Sequence, residues 1–155
     1  MKKFFFLVGG LTFFMSSTTL SAQNQNSTQE SYDPIFKIVE EMPMILECYG
    51  SGTEKEMQNC SDSKLATFIA ENLEYPEQAK LNKTQGKAVI QFVVNKDSTI
   101  QEIRIARNLA DGCGDAAYKV IEKLKNSPIR WRPGHQRAKP VSVLLTLPIE
   151  FKLPN

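Results

Sequence analysis

The chain has 155 residues, 41% hydrophobic and 23% charged, with a formal net charge of +2. That is room for one ordinary domain and a short leader, and the composition excludes disordered and fibrous classes. The charge is unevenly placed: residues 23–74 carry 3 Lys/Arg against 10 Asp/Glu, whereas residues 75–155 carry 14 against 7. Such halves attract each other, and the basic one also suits an anionic partner such as cell-wall polymer, phospholipid or an acidic peptide.

Residues 1–22 read as a secretory signal peptide. Lys2 and Lys3 precede an apolar run of 12 residues from Phe4 to Met15, and Ala22 stands before a polar tract. A membrane span needs about 20 apolar residues, so an uncleaved anchor facing the periplasm is the secondary expectation. Residues 23–31 (QNQNSTQES) hold no apolar side chain and read as a disordered tether. Residues 32–66 form an acidic extension, with a short strand expected around Ile35–Val39.

Export permits disulfides. With three cysteines, at least one is unpaired within the monomer. Cys48 and Cys60 flank a Gly/Ser/Glu-rich stretch, Tyr49–Asn59, expected to be an irregular loop, and the local pair Cys48–Cys60 is the expected bridge. Cys48–Cys113, Cys60–Cys113 and three reduced thiols are the alternatives. A metal site is not expected, because His135 is the only histidine and no Cys-x-x-Cys spacing occurs. Nor is an enzyme: the chain lacks a nucleophile elbow, a phosphate loop and a clustered carboxylate pair.

Ser61-Asp62-Ser63 predicts a helix start, followed at helical spacing by Leu65, Phe68, Ile69, Asn72 and Leu73. Tyr75-Pro76 ends it, and Pro76 suits the first turn of a second short helix, Glu77–Leu81. Lys87–Val94 and Thr99–Arg107 read as a β-hairpin around the turn Asn95–Ser98. Asp115 is the expected cap of a third helix whose apolar face is Ala117, Val120, Ile121 and Leu124. An extended segment from Trp131 turns at Pro133-Gly134 into the final strand.

That strand, Val141–Leu153, is apolar at every odd position, and among the even positions only Leu144 is a large hydrophobe. Period-two alternation held so long marks one face on a core and one toward water. Pro148 lacks an N–H and so suits an edge strand whose even residues turn their backbone groups outward. An outward row of such groups is either blunted or a rail for another chain's strand. Five groups, Arg130, Arg132, His135, Arg137 and Lys139, gather just before it and are expected on a solvated loop. The expected architecture is α+β: a three-stranded antiparallel sheet packed by helices on one face, with a long C-terminal edge strand.

Several short signatures occur in order: Tyr75-Pro76-Glu-Gln-Ala79, Gln85-Gly86-Lys-Ala-Val, Phe92-Val-Val, Trp131-Arg-Pro-Gly134, Lys139-Pro140-Val and Leu147-Pro148-Ile-Glu-Phe151. Together they resemble the C-terminal domain of TonB energy transducers, over about Phe68–Leu153, and Val39-Glu-Glu-Met-Pro43 resembles the lead-in of Bacteroidetes-type members. The resemblance implies a periplasmic domain, spanning residues 67–155, that grasps the TonB box of an outer-membrane transporter by pairing with its last strand. By position, Ser142, Leu144 and Thr146 would present the pairing groups, with Val141, Val143 and Leu145 seated on the core. The family's second contact precedes Tyr75-Pro76 and is often glutamine, where this chain has Asn72, Leu73 and Glu74. A retained leader would add inner-membrane motor proteins as partners, and edge strands permit a homodimer. A cleaved leader and short tether would instead suit a periplasmic adaptor or cell-wall-binding module without force transmission. No cofactor and no nucleic-acid partner is expected.

Overall fold

The computed structural model describes residues 33–153; the expected leader, tether and cleavage point lie outside them. In chain order the elements are β1 (Ile35–Phe36), β2 (Met44–Ile45), a 3-10 turn (Leu46–Cys48), α1 (Glu54–Asn72) and α2 (Glu77–Leu81). The hairpin β3 (Gly86–Val94) and β4 (Ile100–Arg107) follows, then α3 (Cys113–Lys125), β5 (Trp131–Arg132), β6 (Gly134–Gln136) and β7 (Lys139–Phe151). Among these no helix is long and apolar enough to cross a membrane.

The expected antiparallel trio is present as β7-β3-β4, with β3 in the middle, and the fold is α+β. The sheet is larger than three strands. β1 pairs parallel with β7, and β6 pairs antiparallel with it, making five; β2 and β5 form a separate two-stranded ladder. β3 alternates because its even residues, Ala88, Ile90, Phe92 and Val94, are fully buried. They meet Ala117, Ile121 and Leu124 of α3 in one core cluster, which also takes Ile149 and Phe151 from β7. Trp131 closes it edge-on against Phe92, ring centres 6.1 Å apart.

α1 begins earlier than the sequence reading placed it. Thr53 accepts from the Glu56 N–H while the Glu56 carboxylate accepts from the Thr53 N–H, a capping box that starts the helix inside the expected loop. Ser61, expected to open the helix, lies within it, where its buried hydroxyl accepts from the Ile45 N–H at 2.9 Å. The expected domain boundary at residue 67 thus falls inside α1, and residues 33–66 pack with the rest as one body. Cys48 and Cys60 are disulfide-bonded, Cα atoms 5.8 Å apart, which staples the 3-10 turn to α1. Cys113 is free and buried.

Two further boundaries differ. α3 starts at Cys113 behind Gly112, whose φ of 81° is open to glycine at no steric cost, so Asp115 sits in the first turn rather than capping it. Pro133-Gly134 is not the turn before the last strand. Gly134 opens β6, and the chain reverses at Arg137-Ala138, both at positive φ. Of the five basic groups expected on one loop, Arg132 is drawn in. It pairs with Glu41 at 2.7 Å and lies 4.3 Å above the Tyr49 ring.

Candidate functional site

Which way each backbone group of β7 points follows from the hairpin. The Asn95 N–H donates to the Thr99 carbonyl at 2.8 Å, so Asn95 turns toward β4. Successive residues of a strand point their main-chain groups to opposite sides, which turns Val94, Phe92, Ile90 and Ala88 toward β7. Both irregularities of the β3–β4 pairing insert the extra residue in β4, and the β3–β7 register runs unbroken from Gly86↔Phe151 to Val94↔Val143. Hence Val143, Leu145, Leu147, Ile149 and Phe151 bond to β3. Leu144, Thr146, Pro148 and Glu150 face the other way.

That outer side is partly occupied. β6 does not reach it: its partners are odd residues, Gly134 opposite Val141 and Gln136 opposite Lys139, so it lies on the β3 side beyond the end of β3. β1 covers its start, Ile35 opposite Ser142 and Phe36 opposite Val143. In a parallel ladder a residue bonds the neighbours of the one opposite it, so Phe36 draws on Ser142 and Leu144. Beyond the Leu144 carbonyl, nothing among the described residues pairs with β7 as far as Glu150. The open rail therefore holds the Thr146 and Glu150 N–H groups and the carbonyls of Leu144, Thr146, Pro148 and Glu150.

The residues expected to bind a partner divide accordingly. Val141, Ser142 and Val143 are already engaged within the chain, and Ser142 is buried, its hydroxyl accepting from the Lys96 N–H at 3.2 Å. The expectation that Ser142 presents free groups is corrected by β1, the start of the short strand expected around Ile35–Val39, which pairs there in parallel. Leu144, Leu145 and Thr146 lie on or beside the open rail. Leu147 to Glu150 extend it and were not singled out, although Pro148 marked the edge. Below the rail a groove of about 330 Å³ runs between β7 and α1, walled by Pro43, Leu65, Phe92, Trp131, Leu145 and Leu147.

Asn72, Glu74 and Tyr75 lie together elsewhere, at a cleft of about 650 Å³ shared with Lys80, Asp115 and Lys119. Asn72 is turned back on its own helix, its amide donating to the Phe68 carbonyl at 2.9 Å. Tyr75 donates to the Thr84 carbonyl, and its ring meets Phe151 edge-on at 5.5 Å, so it serves as a core wedge as much as a surface. Glu74 is exposed and paired with Lys123 at 3.0 Å; the hydrogen bond and then the charge of that lysine hold its carboxyl below the ordinary value. Among the described residues no cluster of His, Cys, Asp or Glu fits a metal ion.

The family described as Gram-negative bacterial TonB protein C-terminal matches residues 71–153. Two solution structures of the Helicobacter pylori TonB C-terminal domain are similar to this chain. The one spanning residues 179–285 is 19% identical, covers 70% of this chain and 91% of its own, and has a TM-score of 0.48. The one spanning residues 194–285 is 23% identical, covers 58% and 90%, and has a TM-score of 0.43. No curated protein matches.

Proposed function

This chain belongs to the TonB C-terminal family, and on that premise we propose that its β7 edge captures an extended segment of an outer-membrane TonB-dependent transporter in the periplasm. The observation that carries this reading is the run of β7 from the Leu144 carbonyl to Glu150, paired on one side only. Main-chain bonds to such an edge supply affinity without regard to sequence, and alternate side chains of the guest supply specificity. Guest residues aimed at the core side would meet the groove along Leu145 and Leu147. β1 sets where the guest begins, since it already holds Ser142 and Val143. The domain acts here as a protein-binding module, not as a catalyst.

The test is binding of labelled peptides from the periplasm-facing segments of such transporters to the full chain, read by fluorescence anisotropy. Saturable binding that is lost when the Thr146 N–H is removed by Thr146→Pro supports capture on this edge. Binding that survives Thr146→Pro unchanged, or no binding at millimolar peptide, refutes it.

A further inference from the structure

The outer face of the sheet carries one polar row that runs straight to the open edge. Arg104 of β4 stands opposite Gln91 of β3, and Gln91 stands opposite Thr146 of β7. The Arg104 Nε–H donates to Gln91 Oε1 at 3.0 Å, and Gln91 Nε2 donates to Thr146 Oγ1 at 3.0 Å. A guanidinium has donors only, so the amide must offer it the oxygen. Its NH₂ then donates to Thr146, filling one of the two lone pairs of the threonine oxygen. The Thr146 O–H donates to nothing among the described residues. Thr146 is exposed, and the next place in the row is the guest strand itself.

Resting on the strand-addition reading above, we infer that the Thr146 hydroxyl selects a hydrogen-bond-accepting side chain on the guest residue that pairs with it: Asp, Glu, Asn, Gln, Ser or Thr. Directly paired residues of neighbouring strands put their side chains on the same face, within reach of each other. An apolar side chain there would cover the hydroxyl and leave its hydrogen without the water that solvates it in the free protein. Arg104 never touches the guest. It is a positioning residue that stops the Gln91 amide from turning over, so that Thr146 accepts from Gln91 and keeps its own O–H free for the guest.

The experiment takes a peptide bound by the full chain and replaces each residue in turn by Asn and by Leu. One position is expected to favour Asn over Leu by about threefold to tenfold, the worth of one hydrogen bond at an edge. That preference is expected to vanish in Thr146→Val, which keeps shape and backbone pairing, to persist in Thr146→Ser, and to shrink in Arg104→Met. Equal preferences in wild type and Thr146→Val overturn the inference while leaving strand addition intact. Absence of any peptide binding by the wild-type chain removes strand addition and this inference with it. Loss of the preference in Thr146→Ser also contradicts it, since the hydroxyl is still there.

Discussion

Pro148 of β7 stands opposite Val89 of β3, at a position whose main-chain groups face away from β3. Its missing N–H therefore removes no bond from the sheet and one from the open edge. Parity thus decides what a proline does in this strand. Thr146→Pro is expected to leave the fold intact, whereas Leu147→Pro takes a bond from the ladder opposite Ile90 and is expected to cost about 1–3 kcal/mol. Urea midpoints of the two variants check this: equal losses would mean that the even positions are bonded inside the sheet.

The Cys48–Cys60 bridge closes a short ring and ties α1 to the 3-10 turn that follows β2. Replacing both cysteines by serine is expected to cost about 3 kcal/mol, chiefly by releasing the unfolded chain. Cys113 is fully buried, and desolvation followed by the nearby Asp111 pushes its thiol up. It is expected to resist thiol reagents in the native protein and to react on unfolding, as a colorimetric thiol count would show.

Gly134 is required by space rather than by φ. A Cβ there would lie 2.5 Å from Val143 Cγ2 and 3.2 Å from the Glu41 carbonyl oxygen. Val143 is held on both sides, by Phe36 and Val94, so it has little room to withdraw. Gly134→Ala is expected to destabilise by about 1–3 kcal/mol, measurable as a shift of the thermal midpoint.

The Glu74–Lys123 pair has a definite pH signature. Because the folded carboxyl titrates below its ordinary value of 4.5, the pair contributes stability above that pH and loses it as the pH falls through the folded value. Both groups are exposed, so the effect is small. Glu74→Gln is expected to lower the urea midpoint slightly and evenly above pH 4.5 and to flatten the acid limb of its curve between pH 4.5 and the folded value.

Much of this fold is legible in the residues. The alternation along β7 names its buried face, and β3, β4 and the apolar stripe of α3 announce themselves by period. α1 was harder because only Ser61 and Leu65 are buried in it. With so little apolar face, its start is written in the Thr53–Glu56 box alone, and the flanking Gly/Ser stretch reads as loop. A short strand around Ile35–Val39 was legible and β1 is its first two residues, but its parallel pairing with β7 was not. The β6–β7 turn uses Arg137 and Ala138 at positive φ, a conformation their chemistry does not advertise. For the site, the edge was legible from Pro148 and its parity. How much of it the chain itself covers was not, because that depends on β1 returning from far back in the sequence.

Amide hydrogen exchange, resolved by residue in the full chain with and without transporter peptide, bears most directly on the open edge. The expected result is fast exchange at Thr146 and Glu150 in the free protein, protection of Thr146 on binding, and slow exchange at Leu145, Leu147 and Ile149 throughout. Protection of Thr146 and Glu150 without peptide, or unchanged exchange of Thr146 at saturation, would contradict it.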